Sequence, residues 1–418
     1  MALGDLSPVK VLFLNNFNYL RGGSERVLFE EMRIFREAGH EVAIYSRKYE
    51  KNEPAEFSDF FPQPIDTGRL GIRTGTLRTV RELIYSRPAR LGIREVIKRF
   101  RPDIAHAHNI YGRLSLSVLD ELKAAGVPVI LTLHDLKLLC PSYLMIHQGR
   151  VCELCKGHRY YNAVRTRCHK GSYAASAVYA LESWLNNVMG RYRSVSCFVA
   201  PSRFLRDKCV EYGWDSGKIA YIPNFIDPPM KPEFRAGGEY LLYVGRLSRE
   251  KGVGTLLDAY QGLKKPIPLK IVGDGPEREE LERKVGIPEN RVTFAGYLSG
   301  TALTDALLGA KGVVMPSEWY ENAPLSLLEA FACHKPVIGA RIGGIPEIID
   351  DGVNGYLFEP GNAADLQAKL EHFLKLPDRK VSEMGKSARK KVEDEYNSEA
   401  HYQRLINVYR NATGKTCV

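Results

Sequence analysis

The sequence predicts an α/β protein built from two doubly wound units. Three observations support this. Short apolar, β-rich runs alternate with longer amphipathic runs along most of the chain. The alternation stops at a proline-rich stretch and then restarts. The length of 418 residues is enough for two or three domains at roughly 100–200 residues each. Buried runs separated by helical patterns indicate βαβ units and parallel sheets.

The first apolar run, Val9–Leu14, has no basic region before it and is too short for a signal-peptide core, so it reads as a strand. Further strands are expected at Glu41–Ser46, Asp103–Ala107, Val127–Leu133, Cys197–Ala200 and Ile219–Ile222. Helices are expected at Ser24–Ala38, Ser115–Ala125 and Ser202–Tyr212. The stretch IPNFIDPPMKPEFRAGG, from Ile222 to Gly238, reads as a linker. After it, strands are expected at Tyr240–Val244, Leu269–Val272, Val292–Ala295, Val313–Met315 and Val337–Gly339. Helices are expected at Gly254–Leu263, Glu277–Val285, Thr301–Leu308 and Pro324–Ala332, with a polar helical region beyond Asn362. Ligands of such folds sit at the carboxyl ends of the strands, here expected in a cleft between the two units.

An apolar content of 44% with 26% charged residues fits a soluble globular chain. No run of about 18 apolar residues occurs, so no membrane-spanning helix is expected and the default compartment is the cytoplasm. The net charge of +10 is concentrated between residues 69 and 101. Arg69, Arg73, Arg78, Arg81, Arg87, Arg90, Arg94, Lys98, Arg99 and Arg101 stand there against Glu82 and Glu95, with Leu77, Val80, Leu83, Ile84, Leu91, Ile93, Val96 and Ile97 interleaved. This pattern suits a peripheral contact with an anionic membrane or a phosphorylated acceptor, and equally a solvated basic helix face. It lacks the interleaved aromatic platforms of single-stranded nucleic-acid binders, so no nucleic acid is expected.

Several motifs fall at expected strand ends. VGDGPE (Val272–Glu277) places Asp274 between Gly273 and Gly275 but lacks the third glycine of a dinucleotide fingerprint. The GKS and GKT triplets near the end lack the upstream glycine of a P-loop. YVGRLSREKGV sets Arg246 and Lys251 beside a helix start, where two cations suit a diphosphate or are plain surface charges. RGGSER puts Gly22 and Gly23, which permit positive φ and close backbone approach, before Ser24 as an expected N-cap. LTLHDL ends a buried strand on His134 and Asp135, and a strand-end histidine can bond a sugar or phosphate, act as a base, or be structural. WYENAPLSLLE carries Glu321 and, two helical turns on, Glu329.

In this order, GGSE, TLHD, GRLSREKG, VGDGP, the Glu321 and Glu329 pair and GGIPEII…DGVNGYLFEPGN resemble glycosyltransferase family 4 over nearly the whole chain. The resemblance implies the GT-B fold: an acceptor-side Rossmann-like domain over 1–225, a donor-binding one over 235–395, and a C-terminal helix over 396–418 that crosses back to the first. It implies a retaining, metal-independent hexosyl transfer from a nucleoside diphosphate sugar to a glycan or lipid-linked hydroxyl, at the cytoplasmic membrane face. Arg246 and Lys251 would bind the diphosphate, Glu321 the donor sugar and reacting centre, and Glu329 the ribose. The backbone of Ala323, Pro324 and Leu325 would meet sugar and phosphate oxygens. His134 would contact the sugar or phosphate, Gly22 and Gly23 would close on the diphosphate, and Asp274 would lie near the base. Many relatives have a Gly-Phe-Gly-like segment after the first glutamate; Asn322–Pro324 stands there instead, with Pro324 at the first helical position. No Asp-x-Asp triplet occurs, against the metal-holding motif of the other large transferase class. A sugar phosphorylase, a nucleotide-sugar epimerase and a non-catalytic nucleotide-sugar-binding protein would share the fold.

Cys140, Cys152, Cys155 and Cys168 cluster in an insert spanning about 140–172, directly after His134 and expected to shape acceptor binding. One C-x-x-C knuckle with two flanking cysteines fits a structural zinc site, with His147, His158 and His169 as substitutes. A disulfide pair or plain reduced thiols are the alternatives.

Overall fold

The computed structural model describes residues 8–65, 74–227, 238–285 and 291–414. Arg69, Arg73, most of the proline-rich linker and Cys417 lie outside them. The described chain forms two compact units: one takes the residues up to His147, Cys152–Ile222 and those from Tyr402 onward, the other takes 148–151 and 223–401.

The first unit runs β1 (Lys10–Leu14), α1 (Gly23–Glu37), β2 (Glu41–Tyr45), α2 (Thr74–Ile84), α3 (Arg87–Phe100), β3 (Ile104–Ala107), α4 (Ser117–Ala124) and β4 (Val129–Thr132). The cysteine-rich insert follows, with the hairpin β5 (Ile146–His147) and β6 (Arg150–Val151) and the short helix α5 (Tyr161–Arg165). Then come α6 (Tyr173–Val188), β7 (Cys197–Ala200), α7 (Arg203–Glu211) and β8 (Ile219–Tyr221). The sheet is parallel throughout, in the order β2-β1-β3-β4-β7-β8. Its inner strands are buried along their length, as helices on both faces require.

The second unit runs β9 (Tyr240–Val244), α8 (Val253–Gln261), β10 (Leu269–Val272), α9 (Arg278–Lys284), β11 (Val292–Gly296), α10 (Gly300–Gly309), β12 (Ala310–Met315), α11 (Leu325–Ala332), β13 (Val337–Ala340), α12 (Ile345–Ile348) and β14 (Gly355–Phe358). It closes with α13 (Ala363–Leu374) and α14 (Asp378–Glu395). This sheet is also parallel, in the order β11-β10-β9-β12-β13-β14. Both units are thus doubly wound α/β folds, as expected.

The last helix, α15 (Ser398–Thr413), returns to the first unit. Tyr402, Leu405, Ile406 and Tyr409 are buried at the spacing of one helix face. The Tyr402 hydroxyl lies 2.8 Å from His40 Nε2 and the Tyr409 hydroxyl 2.7 Å from His106 Nδ1, so the helix is fixed by polar contacts inside an apolar seam.

Four local expectations need correction. Helix α1 begins at Gly23 with Gly22 as its cap, and Ser24 spends its hydroxyl on Glu25, 3.2 Å away, instead of capping. Neither Gly22 nor Gly23 takes a positive φ; Gly22 is extended at −172°. Pro324 precedes α11 in extended conformation and is its cap, one residue before the first helical position. Finally, β14 and α6 are absent from the strands and helices expected above. Strand β14 is only four residues long within a loop-rich motif, and α6 follows an insert whose cysteines dominate the local pattern.

Candidate functional site

Strand order reverses once in each sheet, and the crevice at the carboxyl ends of the strands flanking the reversal is where open α/β sheets bind ligands. In the second sheet the reversal lies between β9 and β12. The loops leaving these two strands carry Lys251 and Glu321. Lys251 Nζ and Glu321 Oε1 are 2.6 Å apart, and the Ser317 hydroxyl donates to the same oxygen at 2.7 Å. The ammonium also lies 5.1 Å from the Trp319 ring centroid, a cation–π distance. Glu321 is 6% exposed. Burial by itself pushes its carboxyl up, but the Lys251 charge and the Lys251 and Ser317 hydrogen bonds outweigh it and leave the group below its ordinary value. An ionised Glu321 is therefore ready to accept hydrogen bonds.

The backbone around this pair explains two glycine motifs. Gly252 takes φ +68°, and a Cβ there would fall 1.9 Å from the Pro316 carbonyl oxygen, so only glycine lets the Lys251 loop lie against the end of β12. Gly343, at φ +59°, would put a Cβ 2.1 Å from the Glu321 carbonyl oxygen, while the amide of Gly344 donates to that oxygen at 2.7 Å. The GGIPEI segment thus holds the Glu321 backbone. Gly273 and Gly275 allow close approach too, but to the protein: added Cβ atoms would strike the carbonyl oxygens of Gly245 and Leu247. Asp274 between them is exposed and takes the Gly275 amide on its own carboxylate. The Arg246 side chain is exposed on the loop after β9, and Glu329 is half-buried on α11. The carbonyl of Ala323 accepts from Asn224 Nδ2 at 2.9 Å, which pins the chain just before that helix.

In the first sheet the reversal lies between β1 and β3. The Gly22–Gly23 loop leaves β1, and a Cβ on Gly22 would meet nothing closer than the Glu25 carboxylate at 3.9 Å, so the space over it is open. His134 stands two residues beyond β4, and its Nε2 lies 2.7 Å from His108 Nδ1. Burial, then the neighbouring His108, pushes its ring down to about 3. Burial pushes the adjacent Asp135 up to about 6, against the Lys137 amide that donates to it. Sequence reasoning missed Ser317, Asn224 and the buried histidines behind His134. The available signal was HAH in DIAHAHN, two histidines with the period of a strand.

The four cysteines expected to hold zinc do line one small pocket, together with Ser142 and Tyr212. All are reduced, and burial with the neighbouring thiols pushes Cys155 up to about 12. Among the described residues, three ligand atoms within 4.8 Å of one another occur at Glu31, His106 and His108, and the sulfurs are not so gathered. The basic stretch is partly neutralised inside the unit: Arg94 and Arg90 bond Glu121, Arg78 pairs Glu82, and Lys98 pairs Glu95.

Comparison with known proteins bears on this arrangement. The family model described as Glycosyltransferase Family 4 matches residues 21–229, half of the chain, and that described as Glycosyl transferases group 1 matches 229–391. The chain belongs to glycosyltransferase family 4. It is 26% identical to a sulfoquinovosyl transferase of Arabidopsis thaliana over 90% of its own length and 68% of that protein. It is 29% identical to a glycogen synthase of Mycobacterium tuberculosis, over 67% of the chain and 62% of that protein. Among solved structures, sucrose-phosphate synthase of Thermosynechococcus elongatus superposes with a TM-score of 0.71 at 20% identity, covering 98% of this chain and all of that one. An Anabaena protein, HepE, solved with UDP, gives 0.65 at 18% identity over 96% of this chain and all of that one. The fold is therefore GT-B.

The lowered value at His134 has a measurable consequence. A ring held below its ordinary 6.5 contributes stability that is complete above that pH and is lost as pH falls toward 3. Asp135 runs in the opposite sense: its contribution is complete below its ordinary 3.8 and lost as pH rises through about 6. The His134→Asn variant should therefore lose less Tm than the native chain on acidification from pH 7 to pH 4. Equal losses would show that His134 is not held neutral.

Proposed function

We propose that this chain is a retaining, metal-independent glycosyltransferase that moves a hexose-type sugar from a nucleoside diphosphate to a hydroxyl of a glycan or lipid-linked acceptor. The observation that carries the reading is the Lys251–Glu321 pair at the strand-order reversal of the second sheet. Family membership supports transfer, and the UDP bound by the Anabaena relative supports a nucleoside diphosphate donor.

Lys251 has three N–H donors, of which Glu321 needs one, so the ammonium can hold Glu321 and reach a phosphate oxygen together. Arg246 adds a second cation for the diphosphate. The amides of Leu325 and Ser326 open α11 behind Pro324 and suit anionic oxygens. Ionised Glu321 accepts from the sugar hydroxyls and stabilises positive charge at the anomeric carbon. Glu329 takes the ribose, Ala323 offers backbone to the sugar, and Asp274 lies near the base. In the first unit, Gly22 and Gly23 are assigned to the diphosphate and His134 to the sugar or phosphate. In the step itself the anomeric C–O bond breaks and its electron pair stays on the diphosphate. The acceptor oxygen then bonds to the same face, and its proton passes to the departing phosphate oxygen.

Two further assignments concern the first unit. The face of α2 and α3 is proposed to lie on an anionic membrane surface. Leu77 is 80% exposed, and Trp184 and Val188 on α6 are 49% and 62% exposed. Arg191, just beyond α6, stacks at 4.8 Å on Tyr85, just beyond α2, so this apolar surface adjoins the basic one. Apolar anchors flanked by arginines suit the interface of an acidic bilayer. Cys140, Cys152, Cys155 and Cys168 are proposed to hold a structural zinc that draws the insert together. Their reduced state and shared pocket support this.

Glu321→Ala should abolish transfer while the protein still melts as one folded population; native turnover in that variant would refute its role. Lys251→Ala should weaken donor binding, and because it leaves a buried carboxylate uncompensated it should also lower Tm. A thermal-shift screen of nucleoside diphosphates and their sugars identifies the donor, and diphosphate release that needs an acceptor separates transfer from phosphorolysis, epimerisation or mere binding. Sedimentation with vesicles should show binding to phosphatidylglycerol, loss of it in high salt and none to phosphatidylcholine; equal retention on both would refute the electrostatic part. Metal analysis of purified protein should find one zinc per chain, and zinc-free protein whose melting ignores a chelator would refute the staple.

A further inference from the structure

Trp319 stands beside the Lys251–Glu321 pair and has no part in the transfer proposed above. It lies on the loop between β12 and α11, two residues before Glu321. The Glu321 amide donates to the Trp319 carbonyl at 2.8 Å, so the two residues share one tight turn. The Ser317 hydroxyl closes the same turn on Glu321 Oε1 at 2.7 Å. Local structure thus sets where the indole goes. Lys251 arrives from the loop after β9, and its Nζ sits over the indole face, 5.1 Å from the ring centroid. The same Nζ lies 2.6 Å from Glu321 Oε1.

The indole N–H does not account for a tryptophan here. Nε1 is buried and makes no hydrogen bond. It adds to the groups that draw the Glu321 carboxyl down, but after Lys251 and Ser317 and from outside hydrogen-bond geometry. A buried donor without a partner costs free energy that phenylalanine or leucine would avoid. What the indole supplies is its negative face, the best cation acceptor among the aromatic side chains. A lysine gains from such a face, because its charge is a point at the end of a flexible four-carbon stem. The Lys251 side chain is still 23% exposed, so it is not sealed off from a ligand. A cation already held in place loses less freedom when a ligand binds.

We infer that Trp319 is a positioning residue: its ring face holds the Lys251 ammonium in place for the diphosphate of the donor, without touching the donor itself. The inference rests on the proposed place of Lys251 at that diphosphate.

Fluorinated tryptophans test it, because fluorine withdraws charge from the ring face while nearly keeping its shape. A purely structural ring would not respond. The chain has three tryptophans, so all are replaced together and Lys251→Met serves as the control. UDP and GDP are the probes, with Kd read by titration calorimetry. Kd should rise stepwise with the number of fluorines, by about threefold or more for the most fluorinated ring. In Lys251→Met, titrated at higher ligand concentration, the dependence on fluorine should vanish. A dependence that persists there means that the ring meets the donor directly, and overturns the inference. So does a Kd that stays constant or falls across the fluorinated series in a chain that binds the nucleotide. A native chain that binds neither nucleotide overturns the proposed donor site, and the positioning role with it.

Discussion

A carboxylate taken out of water must be met by donors or by a cation, because an uncompensated buried charge costs several kcal/mol. Glu321 poses that demand at the end of β12, and Lys251 answers it from the loop after β9. Much of the local architecture follows from bringing these two groups within 2.6 Å. The Lys251 loop can lie on the end of β12 only with glycine at 252. The Glu321 backbone can be held only with glycine at 343. The two strands that carry the loops are neighbours because the strand order reverses between them.

The first unit meets the same demand differently. Glu31 is buried beside β3, next to the reversal in that sheet, and its neighbours are imidazoles instead of an ammonium. The C-terminal helix joins this network through Tyr409, so a segment nearly at the end of the chain reaches the side chains of β3. Its apolar face supplies the packing, and its two tyrosine hydroxyls set the register against His40 and His106.

The insert and the basic helices show how charge and chemistry read from composition are redistributed on folding. Ten cations between 69 and 101 read as a free basic face, yet Arg90 and Arg94 are spent on Glu121, whose carboxyl they draw down to about 2, Arg94 foremost. Charge that reaches solvent is therefore less than the count of residues. The insert contributes Cys155, Tyr160 and Ala163 to an apolar cluster with Ala180 of α6, and several of its residues, among them Tyr143, Met145 and Arg167, take positive φ.

The sequence by itself determined the alternation of strands and helices, the two units and the motifs at the strand ends. Each follows from local periodicity, from glycine or proline chemistry, or from charge beside a helix start. Lys251 and Glu321 were both visible as candidates, each in its own motif. Only the tertiary structure decided that they form one pair, since 70 positions separate them and the strand order alone makes them neighbours. The same holds for Glu31, His108 and His134, which come from three different elements. Neither glycine at 22 or 23 uses the left-handed region that its type permits, because the chain there enters a helix from extended backbone. Periodicity records which face of an element is buried; which faces meet is fixed by topology, and the site is made where they meet.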